Sequence, residues 1–298
     1  MGTRWSAKLA DGDAGTAEAA ITAALDTVIA QMSGWEPASD LSRFNRSVPG
    51  RWQSLLPEMA AVVASGLAIA EASEGAFDPA AGALVDLWGF GPRPIDGLPE
   101  EAEVAAASRG WRHLSFDPAA RRLRRDAPVM LDLSGIAKGF AVDHAAEALL
   151  AIGFRHFLLE VGGELRGEGV RPDGQPWWVD LERPPGASEL ALTRVALHGL
   201  SVATSGDYRR FLTAGERHLS HTIDPRSGRP VENGIASVTV LARSCMEADG
   251  WATALTVLGP AAAVKATADH KIAAQLIMRT GDGWREELSP RFKEMLET

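Results

Sequence analysis

The chain has 298 residues, 46% hydrophobic and 23% charged, with a formal net charge of -9. That composition is ordinary for a globular protein and allows a sizeable core, while the absence of any long Lys/Arg run argues against a nucleic-acid partner. No uninterrupted apolar run of about 20 residues is present, so no membrane span is expected, and the single cysteine, Cys245, excludes an intrachain disulfide.

In chain order, residues 3–9 read as a short strand and AGTAEAAITAALDTVIAQM (14–32) as an Ala-rich helix. WEPASDLSRFN (35–45) reads as a loop broken by Pro and Ser, LPEMAAVVASGLAIAEASEG (56–75) as a helix, and FDPAAGALVDLWGFGPRP (77–94) as an irregular loop on a hydrophobic cluster. RHLSFDPAARRLRRD (112–126) suggests two short strands around a turn, and VMLDL (129–133) a strand followed by a helix that ends near Gly153. The chain is then largely β-rich up to SVTVLA (237–242). EADGWATALTVLG (247–259) and AAAVKATADH follow as helices, and AAQLIMRTG as a last strand. The order is that of a mixed α/β (α+β) protein, a single domain over 1–298 with two lobes.

Polar groups and glycines collect in five places that a packed core does not require. In DLSGIAKGFAVD (132–143), Gly135 and Gly139 flank Lys138 where a strand turns into a helix. That arrangement suits either an anion site or a plain strand-to-helix turn, and it lacks P-loop spacing. Gly162-Gly163 before Glu164 permits close backbone approach or a bulge. Thr204, Ser205 and Gly206 read as a turn offering hydroxyls and backbone N–H groups, for a phosphate or for capping. HLSHTIDPRSGRPV (218–231) gathers His221, Asp224 and Arg226. In the 247–259 helix, Asp249 and Thr253 stand at i and i+4, so a carboxylate and a hydroxyl share one face of a mostly apolar helix. Taken singly, each has a structural reading: a cap, a back-bond, a turn. Taken together they list what a nucleotide pyrophosphate site needs: oxygen ligands for a divalent cation, a lysine and glycine turns.

At this point the motifs resemble those of the ApbE family of flavin transferases. MGTRW (1–5), MSGWEPASDLSRFN (32–45), FDPAAGALVDLWGFG (77–91), DLSGIAKGFAVD, EVGGE, VATSGDYRR, HTIDPRSGRPV and EADGWATAL occur in the family's order along nearly the whole chain. The resemblance implies a T-fold-like architecture, FAD as donor, and transfer of FMN to a threonine of a partner protein through a phosphoester bond, with release of AMP and a requirement for Mg2+. It implies Asp249, Thr253 and the Ala137 carbonyl as metal ligands. His221, Lys138 and Asp224 are implied as catalytic, His221 as base or orienting group, while Asp224 shapes the turn or contacts the flavin. Trp35, Ser39, Phe77, Asp78, Asp143, Gly162, Gly163, Glu164, Thr204, Ser205 and Gly206 are implied to bind FAD, with Trp35 standing where many relatives have Tyr and Asp143 at the adenine or ribose.

The partner implied is an acceptor protein with a D-x-x-x-T-like threonine motif, a membrane redox-complex subunit or a flavin reductase. Asp249 to Thr253 themselves fit that pattern, although metal ligation explains them better than self-modification. The competing readings are an FAD pyrophosphatase giving FMN and AMP, and a non-catalytic flavin-binding protein. MGTRWSAKLADGDAG has no basic region followed by an apolar core, so the expectation is a cytoplasmic protein as written, or a periplasmic or lipoprotein form if a leader stands upstream.

Overall fold

The computed structural model describes residues 2–107, 109–214 and 217–296. The chain packs into two compact units. One is built from residues 28–135 and 209–232, the other from residues 2–27, 136–208 and the chain from 233 onward.

The second unit is organised by a seven-stranded antiparallel sheet in the order Trp5–Leu9, Phe157–Val161, Glu164–Glu168, Leu200–Gly206, Ile235–Ala242, Ala273–Thr280, Gly283–Leu288. Alternation along the strands sends Ala203, Val238, Val240, Ala274 and Leu276 to one face, where they pack on Ala248, Ala252 and Leu255 of helix Cys245–Leu258. The intervening Val202, Leu241 and Ala273 face the other side. There they meet Trp177, Val195 and Leu197 of a two-stranded hairpin and Phe292 of helix Pro290–Leu296. Because both faces are covered, the interior strand Ile235–Ala242 reads as an almost continuous apolar run, IASVTVLA. Helix Cys245–Leu258 starts at Ser244, whose hydroxyl accepts the Glu247 N–H at 3.2 Å. It stops at Gly259, at φ +78°, and Pro260 opens the next helix.

The first unit carries a three-stranded sheet, ordered Gln53–Ser54, Arg122–Arg125, Leu114–Asp117, with helices Pro57–Ala72, Gly82–Leu87 and Glu101–Ala106. A small core of Leu84, Trp88, Phe90, Val104, Leu219 and Ile223 lies among them.

Two stretches read from sequence as loops contain helices. Asp40–Arg46 is helical because Ser39 caps it, accepting the Ser42 N–H at 3.0 Å, with Asp40 in its first turn and Arg43 and Arg46 in its last. Gly82–Leu87 forms inside the expected loop, with buried Leu84 anchoring it. VMLDL makes only one isolated parallel bridge, Ala81 to Met130, in place of the expected strand. Its backbone is held instead by a side chain: Asn45 accepts the Leu131 N–H at 2.7 Å and donates to the Leu131 carbonyl at 2.9 Å. Gly283–Leu288 and Pro290–Leu296 follow the strand that the sequence reading took as the last.

Asn45→Ala strands both backbone groups of the buried Leu131. A stability loss of about 2 kcal/mol in urea titration is expected, whereas a change within error would show that water replaces the amide at no cost.

Candidate active site

In the unit built on the seven-stranded sheet, the Gly-rich turn and the late helix meet. The Gly139 N–H donates to Asp249 Oδ2 at 2.9 Å. A Cβ on Gly139 would overlap the Cys245 carbonyl oxygen and lie 2.8 Å from the Asp249 Cβ, so only glycine allows these helix backbones to approach so closely. Lys138, one residue earlier, bonds through Nζ to Glu164 Oε1 and stands 3.9 Å from Asp249 Oδ1. Glu164 and Asp249 are 2% and 3% exposed. Thr253, one turn beyond Asp249, has its hydroxyl 3.4 Å from that of Ser205.

The electrostatics of this cluster are unbalanced. Burial pulls the Lys138 ammonium toward neutrality, but Asp249 and Glu164 outweigh it and its pKa ends raised, so Lys138 stays charged. Burial pushes Glu164 up to about 7 against the pull of Lys138, and it raises Asp249 despite Lys138 and the Gly139 N–H. Two carboxyls share one ammonium, and among the described residues Glu164 Oε2 has no hydrogen-bond partner. Such a site favours additional positive charge. Among the described residues no group of three or more His, Cys, Asp or Glu gathers to hold a metal. The oxygens that could hold a cation here are those the family resemblance implies: the Asp249 carboxylate, the Thr253 hydroxyl and the Ala137 carbonyl. That sparse oxygen set fits magnesium.

Several residues expected at FAD serve the fold in this unit. Thr204, Ser205 and Gly206 are the end of a strand, held by Thr239, Val238 and Ser237 opposite, and do not form a turn. Alternation then separates them. Ser205 faces the helix and Thr253, while the Thr204 hydroxyl pairs with Thr239 at 2.8 Å on the other face. Gly162 and Gly163, at φ +64° and +102°, are the two-residue turn of the hairpin closed by Val161 and Glu164. The expectation that Asp143 contacts adenine or ribose meets a carboxylate already engaged. Oδ1 accepts from Cys245 N–H and Arg166, and Oδ2 from the Ser244 hydroxyl and Met246 N–H.

In the other unit, Trp35 is 60% exposed and the Arg210 guanidinium lies 5.9 Å from its ring and 5.7 Å from that of Phe90. His221 meets Phe90 edge-on at 6.3 Å, and its Nδ1 stands 3.0 Å from the Arg210 carbonyl. A carbonyl only accepts, so Nδ1 carries the proton and Nε2 is the basic nitrogen. Burial raises the Asp132 carboxyl against hydrogen bonds from Ser134 and the charge of Arg210. Arg210, Phe90 and Asp132 were not singled out from sequence; an arginine after VATSGDY and an acid opening DLSG are too common as solvated charges to stand out.

Asp224 takes the turn-shaping role that was one of its two expected ones, accepting from the Arg226 backbone and guanidinium at 2.9 Å. Ser39 is fully buried as a helix cap, its hydroxyl donating to the Ser33 carbonyl at 2.6 Å. Phe77 belongs to the buried core. Asp78 Oδ1 accepts the Ala80 N–H at 2.7 Å, and burial pushes its carboxyl up to about 6 against hydrogen bonds from the Ala80, Trp111 and Gly110 backbones.

The ApbE family model matches residues 1–276. A protein of Vibrio cholerae serotype O1 named FAD:protein FMN transferase is 37% identical over 305 residues, spanning 99% of this chain and 90% of the relative. One of Salmonella typhimurium with the same name is 36% identical over 310 residues, spanning 99% and 87%. Among solved structures, the flavin transferase ApbE from Vibrio cholerae matches with a TM-score of 0.90 at 36% identity, covering 99% of this chain and 96% of that one. The apo form of the Pseudomonas stutzeri flavinyl transferase ApbE matches with a TM-score of 0.89 at 33% identity, covering 99% and 97%.

Gly139→Ala forces the two helices apart and should cost about 3 kcal/mol in denaturant titration; a cost near zero would mean that the contact yields freely. Asp78, with its folded pKa raised, keeps its proton while the unfolded chain loses it. Stability therefore falls as pH rises from about 4 to about 6, by roughly 3 kcal/mol at most. Asp78→Asn should remove that component when melting is compared at pH 4 and pH 7, and an unchanged slope would refute it.

Proposed function

Because the chain belongs to the ApbE family, we propose that it transfers FMN from FAD to a threonine hydroxyl of an acceptor protein, forming a phosphoester bond and releasing AMP. The observation that carries this reading is the hydrogen bond from Gly139 to Asp249, which brings the Lys138 turn and the oxygen-bearing face of the late helix to one place. A flavin carrier has no use for a buried, charge-hungry cluster beside a lysine; a reaction that breaks a diphosphate does.

The acceptor oxygen attacks the phosphorus on the riboflavin side. The bond from that phosphorus to the bridging oxygen breaks, and the bridging oxygen leaves with AMP, carrying the displaced charge. Asp249, Thr253 and the Ala137 carbonyl would hold a magnesium ion, which supplies positive charge against the diphosphate when bound. Lys138 adds a fixed ammonium where that charge develops, and Glu164 keeps the ammonium in place. The acceptor proton is assigned to His221, whose Nε2 is the basic nitrogen. Trp35 offers an exposed indole face for the isoalloxazine. The acceptor carries a D-x-x-x-T-like threonine motif, with a membrane redox-complex subunit or a flavin reductase as the candidate classes.

The test combines the purified protein with FAD, magnesium and a fusion protein displaying the acceptor motif, read by mass spectrometry and AMP release. An FMN adduct on the threonine with equimolar AMP is expected. Asp249→Ala, or chelation, should lower the rate by about 100-fold or more. AMP with free FMN and no adduct would make the protein a pyrophosphatase, and no AMP with any acceptor a carrier. An undiminished adduct in Asp249→Ala would overturn the cation assignment.

A further inference from the structure

We infer that Asp143 is a positioning residue that sets the geometry of the cation site without touching cation or nucleotide. The inference rests on the proposed function. It starts from the four hydrogen bonds that converge on this one carboxylate. Asp143 lies on helix Ala137–Ala151, whose first turn carries Ala137, Lys138 and Gly139. Its Oδ1 accepts the Cys245 N–H at 3.0 Å and its Oδ2 the Met246 N–H at 3.0 Å and the Ser244 hydroxyl at 2.9 Å.

These are the first N–H groups of helix Cys245–Leu258, which have no partner within their own helix. Ser244 takes the third, from Glu247. The start of the helix bearing Asp249 and Thr253 is thus capped by a carboxylate about 100 residues away in sequence. The negative charge also complements the positive end of the helix dipole.

The fourth bond extends the linkage to the sheet. Arg166 Nη1 donates to Asp143 Oδ1 at 3.1 Å and, through Nε and Nη2, to Glu168 Oε1 at 2.9 and 2.7 Å. Arg166 stands on strand Glu164–Glu168, whose first residue holds Lys138. One carboxylate therefore ties together the helix of Ala137 and Lys138, the strand of Glu164 and the helix of Asp249 and Thr253. It does so beside the Gly139–Cys245 contact, where those helices have no slack. Outer partners of this kind typically change metal affinity by about 10–100-fold when removed.

The experiment measures magnesium binding to the FAD-loaded protein by titration calorimetry, and FAD binding in excess chelator by tryptophan quenching. Asp143→Asn keeps the shape but turns an NH2 toward backbone donors. Its magnesium Kd should rise about tenfold or more, with FAD affinity in chelator unchanged within about twofold. Val195→Ala, a core truncation on the far face of the sheet, controls for lost stability and should bind magnesium as the wild type does. Should Asp143→Asn not fold, Ser244→Ala, which removes one of the four donors, should raise the Kd about threefold. An unchanged magnesium Kd would overturn the inference. An equal loss of FAD affinity in chelator would also overturn it, by placing Asp143 on the nucleotide. A wild type that binds no magnesium would instead remove the cation reading on which the inference stands.

Discussion

Two helix backbones touch at Gly139 and Cys245, and the geometry of the cluster follows from that contact. The missing side chain lets the Gly139 N–H reach Asp249, which then sits 3.9 Å from the Lys138 ammonium. Any other residue at 139 would push the carboxylate away from the lysine and leave Asp249 buried without its ammonium. The approach holds because helix Cys245–Leu258 is fixed elsewhere, by its apolar face on the sheet and at its start by Asp143. In this protein a backbone constraint comes first and the electrostatics follow from it.

The same sheet that supplies the core also sorts the polar residues. Period-two alternation gives Ser205 to the helix face and Thr204 to the opposite one, so neighbours in sequence do unrelated work. Strand register thus sets the Ser205 hydroxyl opposite Thr253. The Glu164 carboxyl, pushed up to about 7 by burial, completes a cluster in which two carboxyls share one ammonium.

What could be read from sequence divides along physical lines. Asp249 and Thr253 were legible because helical spacing is local, and Lys138 and Gly139 because a glycine-flanked lysine at a helix start is unusual. The mixed fold was legible from hydrophobic periodicity and from motif order. Asp143 was located, but nothing local reveals that its partners are the N–H groups of residues 245 and 246. The helix at Asp40–Arg46 was hidden by Pro37 and Ser39, residues that break structure and also begin it. Ser39, Phe77, Gly162 and Gly163 lie in motifs that resemble the family's, and their observed roles are capping, packing and turning. Arg210 and Phe90 were missed because their arrangement around Trp35 arises from packing between distant segments.

The order in which the sheet is assembled bears on how the chain folds during synthesis. Strand Trp5–Leu9 is synthesised long before its partner, Phe157–Val161. The intervening chain largely builds the other unit. That strand must therefore wait, edge unpaired, until residues 157–161 have been translated. Pairings so distant in sequence close slowly and leave apolar surface exposed in the meantime.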